Sequence, residues 1–308
     1  MNKRVLVLMG GFSAERAVSL NSGAAVAAAL EKAGYAVATI DLRRDLRTLV
    51  AGLEAAKPWV VFNALHGRFG EDGSIQGLLD ILRIPYTHSG LLASAMAMDK
   101  AMARRIFADA GIPVAEGRVV NKSEVLAGDV LPRPYVLKPL NEGSSVGVHI
   151  IREGDGPLPL AGADWPYGEQ VLAEEFVPGR ELTVAIMGDR PLGVTEITSD
   201  RGFYDYTAKY APGGSRHLVP APLPAEDYEQ AMALALKAHQ ALGCRGVSRA
   251  DLRYDDTRPG VPARFAMLEV NTQPGMTQTS LVPELAAHAG ISFPDLVSWM
   301  VENASCDA

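Results

Sequence analysis

The sequence predicts an α/β protein with α+β character in parts, and three observations carry that expectation. Short apolar runs alternate with helical segments through the first stretch of the chain. Strand-like runs then recur in the middle and C-terminal parts. The chain has 308 residues, 48% of them hydrophobic and 21% charged, with no low-complexity tract, which suits a soluble globular protein of two or three domains.

The first strand is Val5 to Met9, followed by an Ala-rich helical segment from Ala14 to Lys32 that Gly34 stops. Ala36 to Ile40 reads as a second strand and Trp59 to Phe62 as a third, leading into Asn63-Ala-Leu-His-Gly67. Ile75 to Leu82 reads as a helix and Ile84-Pro85-Tyr86 as a short strand. This βαβ order predicts a Rossmann-like parallel sheet with ligand groups at the strand C-ends. Asp99-Lys100 then opens an amphipathic helix carrying Met102, Ile106 and Phe107, which Gly111 stops. Arg133 to Pro139 is a strand with Lys138 near its end, and Glu142-Gly-Ser-Ser-Val-Gly147 follows it. Residues 153 to 168 read as a loop, and Val171 to Val177 and Glu181 to Met187 as strands. Ser199 to Gly214 is polar and glycine-containing, a candidate lid, and a helix follows from about Glu226 to Ala241.

Bulk properties exclude several classes. The opening apolar run is five residues long, too short for a signal segment or a membrane span. Net charge is −7 without a basic cluster, which argues against nucleic acid. Two cysteines, Cys244 and Cys306, form neither a disulfide framework nor a metal spacing, and the cytoplasm is the expected location.

The sharpest chemical signal lies in two late strands. Phe265-Ala-Met-Leu268 is apolar, yet it continues into Glu269-Val-Asn271, and an ionised carboxylate buried without a partner is costly. Strand alternation puts Phe265, Met267, Glu269 and Asn271 on one face, and Val247, Arg249 and Asp251 on one face of the preceding strand. If the strands pair, Asp251, Glu269 and Asn271 converge beside Arg249. An all-oxygen donor set selects Mg²⁺ or Mn²⁺. The competing reading pairs Asp251 with Arg249 or Arg253 on a solvated strand face, and Glu269 with another arginine. Residues 142 to 147 have the small side chains that let backbone N–H groups approach a polyphosphate, without the pattern of a Walker A or a dinucleotide loop. Lys100 and Lys138 would bring point charges to it.

Taken together, Lys138-Pro139, residues 142 to 147, Glu174-Glu-Phe-Val177, Arg249-Ala-Asp251 and Glu269-Val-Asn271 resemble the ATP-grasp fold. Several further segments narrow the resemblance to the D-alanine–D-alanine ligase family. They are Gly10 to Arg16 with Val18-Ser-Leu20, Leu65-His-Gly67 with Gly70-Glu-Asp-Gly73, Met98-Asp-Lys100, Phe203 to Tyr210, and Asn271 to Thr277 through Ser280-Leu-Val-Pro283. The motifs run from residue 10 to residue 283.

The resemblance implies a Rossmann-like substrate domain over residues 1–97, a central ATP-grasp lobe over 98–179, and a C-terminal lobe over 180–308. It implies ATP-driven joining of two D-alanine molecules through an acylphosphate, for the cell wall, by a cytoplasmic homodimer. Lys100 and Lys138 would hold phosphates, Glu174 and the Val177 backbone the adenine, and Glu181 the ribose. Asp251, Glu269 and Asn271 would carry two Mg²⁺ or Mn²⁺ ions, with room for a monovalent cation as well. Glu15, hydrogen-bonded to Ser144 and Tyr210, would hold the first ammonium, and Arg249 the oxyanion. Lys209 and Ser280 would engage phosphate or the second substrate's carboxylate, Gly275 and Leu281 would bind substrate, and His66 would lie near the first substrate. Tyr210 fits an amine nucleophile and hence a dipeptide product.

Ser248 and Gln273 depart from the usual family pattern without removing a ligand or a charge. The rival readings are another ATP-grasp carboxylate–amine ligase, a dinucleotide-dependent oxidoreductase and a nucleotide-gated binding protein.

Overall fold

The computed structural model describes residues 3–143, 147–156, 168–198, 214–277 and 279–307. Its first unit alternates β1 (Arg4–Gly10), α1 (Arg16–Lys32), β2 (Ala36–Leu42), α2 (Leu46–Ala56), β3 (Val60–Asn63) and α3 (Ser74–Ile81). The three strands form a parallel sheet in the order β2-β1-β3. Strand β1 is apolar on both faces because both are covered. Val5 and Val7 pack with α1 and the C-terminal helices, whereas Leu6 and Leu8 pack with Leu49, Leu53, Ile75 and Leu79. The expected strand at Ile84-Pro85-Tyr86 is reduced to isolated bridges at Tyr86, parallel to Val61 and antiparallel to Ser305. Pro85 has no N–H to extend a ladder, and the Tyr86 N–H donates instead to the Ser305 carbonyl.

Two short helices, α4 (Leu91–Met98) and α5 (Lys100–Asp109), lead out of this unit. Asp99 caps α5 by accepting from the Met102 N–H at 2.9 Å, which places Lys100 in the first turn. Next come β4 (Gly117–Asn121), α6 (Lys122–Ala127), β5 (Tyr135–Lys138), β6 (His149–Ile151) and β7 (Gln170–Glu175). These strands form an antiparallel sheet ordered β4-β7-β5-β6.

The last unit holds β8 (Arg180–Met187), β9 (Arg190–Thr198), β10 (Arg216–Leu218), α7 (Ala225–Ala241), β11 (Val247–Asp255), β12 (Arg264–Asn271), α8 (Leu281–His288) and α9 (Phe293–Glu302). Its sheet runs β10-β9-β8-β11-β12 and is antiparallel throughout. One face packs on α7 through Ala231, Ala235 and Ala238, whose small side chains at helical spacing let the helix lie close to Leu182, Val184, Ala250 and Leu252. Helix α9 returns to the first unit, and Leu296, Val297, Met300 and Val301 join Val5, Val7, Val60 and Phe62 in one core. Fully burying each such side chain contributes about 1.5–3 kcal/mol, so the chain's two ends are held together by apolar contact.

Strict alternation in β12 does not survive. The ladder pairs Asp251 with Glu269 but Leu252 with Met267, leaving Leu268 as a β-bulge. One extra residue inverts the side-chain parity. Phe265 and Met267 therefore stay in the apolar core with α7, while Ala266 shares the opposite side with Ala115 and Val177. Beyond the bulge Val270 keeps to the core. Glu269 and Asn271 consequently lie on the face opposite to that of Phe265 and Met267, correcting the face predicted from alternation alone.

Candidate active site

Three strands converge on the face of the C-terminal sheet opposite α7. Register places Arg249 opposite Asn271 and Asp251 opposite Glu269 across β11 and β12. On the other side of β11, Thr183 of β8 is the partner of Asp251. The Thr183 hydroxyl donates to Asp251 Oδ1 at 2.6 Å, and the Arg249 guanidinium donates to both carboxylate oxygens, at 2.9 and 2.7 Å. The Arg249–Asp251 ion pair of the competing reading is thus present. It coexists with the convergence, because both side chains stand on the face that Glu269 and Asn271 share.

Lys100 reaches this cluster from the start of α5. Its Nζ donates to the Glu142 carbonyl at 2.6 Å and lies 3.7 Å from Glu269 Oε2. A cation in the first helical turn opposes the helix dipole, and the carbonyl and carboxylate offset that cost. Behind it, Glu174 is only 4% exposed and is held by two cations, Lys138 and Arg104. Arg104 also donates to the Ala115 carbonyl at 2.7 Å. Glu181 lies 3.5 Å from Arg253, whose guanidinium donates to the Val177 carbonyl at 3.0 Å and the Gly179 carbonyl at 2.7 Å. The segment expected to read adenine and ribose is therefore tied to β11.

A second cluster of polar groups forms at the C-end of the parallel sheet. Glu15 is the N-cap of α1, where its carboxylate suits the helix dipole. A Cβ at Gly67 would lie 2.8 Å from Glu15 Oε2 and one at Gly143 3.5 Å, so both glycines give the carboxylate its space. His66 is buried between Glu71, 3.1 Å from Nδ1, and the Ser22 hydroxyl, 3.2 Å from Nε2. Burial holds the Glu71 carboxyl above the usual carboxylate range; the His66 hydrogen bond opposes this and the Glu15 charge adds to it. Ser280 is the N-cap of α8, lies 2.8 Å from the Thr277 hydroxyl and accepts from the Thr277 N–H at 3.0 Å. A Cβ at Gly275 would come within 2.9 Å of Ser280 Oγ. Leu281 packs with Ile197. Ser144, Lys209 and Tyr210 lie outside the described residues, as does the candidate lid except for Gly214.

Comparison with known proteins decides the family. The profile "D-ala D-ala ligase C-terminus" matches residues 106–302 and "D-ala D-ala ligase N-terminus" residues 48–89. The D-alanine–D-alanine ligase of Paramagnetospirillum magneticum is 68% identical over 308 residues, covering 100% of both chains. This chain belongs to the D-alanine–D-alanine ligase family. A second family member, from Rhodospirillum rubrum, is 63% identical, again over 100% of both chains. Among solved structures of the family, the Bacillus anthracis D-alanine–D-alanine ligase is similar at a TM-score of 0.82 and 32% identity, covering 97% of this chain and 96% of that one. The same Bacillus anthracis ligase complexed with ATP is similar at a TM-score of 0.80 and 29% identity, covering 98% and 97%.

Four contributors were missed from sequence. Arg104 follows Lys100 by one helical turn, and that i,i+4 spacing was the available signal. Thr183 stands in a strand whose pairing with β11 was not anticipated. Glu71 was quoted as part of a motif but given no role. Gln273 entered only as a departure that removes no ligand or charge. Its side-chain oxygen accepts from Asn63 Nδ2 at 2.5 Å, and its nitrogen donates to the Leu65 carbonyl. The other departure, Ser248, is 2.7 Å from buried His239 Nδ1.

Proposed function

We propose that the chain carries out ATP-dependent ligation of two D-alanine molecules through an acylphosphate, at the face shared by Arg249, Asp251, Glu269 and Asn271. The single observation that supports this site most is the register that sets Asp251 against Glu269 and Arg249 against Asn271, with Lys100 within 3.7 Å of Glu269. Two carboxylates and a carboxamide are hard oxygen donors, and adjacent like charges suit a divalent cation between them. Among the described residues no three His, Cys, Asp or Glu side chains group for a metal, and Asn271, opposite Arg249 on the same face, would supply the third oxygen. Asp251, Glu269 and Asn271 would hold Mg²⁺ or Mn²⁺, and the ions when bound neutralise and orient the triphosphate.

A carboxylate does not react with an amine near neutral pH because oxide would have to leave. Glu15 receives the ammonium of the first D-alanine and aims its carboxylate at the γ-phosphorus. A carboxylate oxygen forms the new bond to phosphorus, the bond to the β–γ bridging oxygen breaks, and ADP departs. The neutral amine of the second D-alanine then attacks the acyl carbon, the C–O bond to phosphate breaks with its electron pair on the phosphate oxygen, and the nitrogen's extra proton passes to the released phosphate. Lys100 and Lys138 neutralise phosphate charge, which requires Lys138 to exchange Glu174 for the nucleotide. Arg249 steadies the tetrahedral oxyanion. Positioning and charge neutralisation carry the reaction, without a covalent enzyme intermediate.

The product is read as a dipeptide for peptidoglycan precursors. A cytoplasmic location fits the two free cysteines. Among the described residues no helix is long and apolar enough to cross a membrane. A homodimer fits the apolar side chains that α3 and α4 leave exposed, Ile81 at 81% and Leu92 at 65%. Phosphate release with Mg·ATP across a panel of D- and L-amino acids tests the activity. Release with D-alanine well above every other amino acid is expected, and equal release with an L-amino acid would overturn the substrate assignment.

A further inference from the structure

We propose that Gln273 is a positioning residue that locks the metal-binding end of β12 to the pocket for the first D-alanine; the inference rests on the site described above. Gln273 is 1% exposed and works in both directions. Its backbone N–H donates to Asn271 Oδ1 at 2.8 Å, holding the carboxamide of the proposed third donor. Its side chain crosses to the parallel sheet, accepting from Asn63 Nδ2 at 2.5 Å and donating to the Leu65 carbonyl. Asn63, itself 0% exposed, bonds the same loop from the other side, donating to the Gly70 carbonyl at 3.1 Å and accepting from the Leu65 N–H at 3.2 Å.

That loop carries His66 and Glu71, and its Gly67 abuts the Glu15 carboxylate. Three residues beyond Gln273 the segment makes a second crossing. The Met276 N–H donates to Ser22 Oγ at 3.3 Å, and Ser22 contacts His66 Nε2. Residues 271–276 therefore join the oxygen donors to the ammonium pocket at two points. One of those points is made by a side chain, which makes it separable by mutation.

The geometry gives this link a catalytic consequence. The first D-alanine is held by its ammonium near α1, while its carboxylate must reach a phosphorus held near β12. A displacement of about 1 Å between reacting groups costs about 10²-fold in rate. A buried amide with a partner on both sides sets that distance more stiffly than a leucine or methionine would, since apolar contact has no preferred direction. Replacing Gln273 also strips the Leu65 carbonyl of its donor, so the loop is freed as well as unlinked.

The test is steady-state kinetics of Gln273→Met, close in volume, with Asn63→Ser, the double variant and Glu269→Gln assayed alongside. The expected result is a rise of about tenfold in KM for the first-site D-alanine with a fall in kcat, while KM for ATP stays within about twofold. The double variant should lose clearly less than the sum of the two single losses, because both variants break the shared Asn63–Gln273 bond while the Gln273–Leu65 and Asn63–Gly70 bonds are lost separately. If Gln273→Met fails to fold, Asn63→Ser is read by the same criteria. An unchanged first-site KM with only a lowered Tm, or additive losses in the double variant, overturns the proposal. Loss of activity in Glu269→Gln with wild-type behaviour in Gln273→Met removes this inference and leaves the site standing. Retained activity in Glu269→Gln removes the site reading and this inference with it.

Discussion

Asp251 and Glu269 face one another across β11 and β12, next to the bulge at Leu268 that inverts the side-chain parity of β12. Two acidic residues so placed repel each other unless cations lie beside them, and Arg249 and Lys100 occupy those places. Changing Glu269 to Gln preserves shape and removes one charge. We expect turnover to fall by roughly 10²-fold or more with an unchanged circular dichroism spectrum and Tm. Near-normal turnover in a coupled ADP-release assay would contradict the metal assignment.

Arg104 gives a separate prediction. Together with Lys138 it holds the buried Glu174 carboxylate. Arg104→Met leaves that carboxylate one cation short, and breaking a buried pair from one side costs about 3–5 kcal/mol. Denaturant unfolding should report a loss of that order, and KM for ATP should rise because Glu174 is no longer held in place. If KM for ATP stays constant, Glu174 does not read the nucleotide.

His88 introduces a pH dependence. Burial lowers its imidazole to about 3, the Val247 carbonyl opposes that shift, and nearby His66 adds to it. The folded state holds His88 neutral while the unfolded chain protonates near 6.5, so its contribution is fully present above about 6.5 and is lost as pH falls towards 3. The limiting slope is about 1.4 kcal/mol per pH unit. His239, lowered to about 4 by burial, acts in the same direction. His88 also sits at φ 71°, a region asparagine tolerates well. His88→Asn should therefore reduce, without abolishing, the drop in Tm between pH 7 and 5. An identical drop would remove His88 from the account.

Glu71 works in the opposite sense. Its raised carboxyl contributes stability that is present below the ordinary carboxylate value and is lost as pH rises through the raised one. Glu71→Gln takes away that ionisation. Its Tm relative to wild type should improve from pH 5 to pH 8, as differential scanning calorimetry would record. A constant difference would mean that Glu71 titrates alike in folded and unfolded chains.

Much of this was legible locally. The βαβ order of the first unit and the helix opened by Asp99-Lys100 follow from periodicity within short windows, while the pairing of β11 with β12 was the condition on which the metal-site expectation rested. The bulge did not follow, because alternation carries no mark of an inserted residue when Met267 and Leu268 are both apolar. Arg104 was hidden by composition, since an arginine on an amphipathic helix reads as solvated until Glu174 of another sheet is placed beside it.

The amino-acid order alone determined which side chains could supply oxygen donors, cations and small-residue turns, and the elements that carry them. Those depend on interactions over a few residues. Tertiary structure decided which of these groups meet: Asn63 with Gln273, 210 residues apart, and α9 with β1 at opposite ends of the chain. The physical reason is that such contacts arise from burying apolar surface in a shared core, a drive without direction or sequence distance, and the polar groups it carries inside must then find partners among whatever lies adjacent.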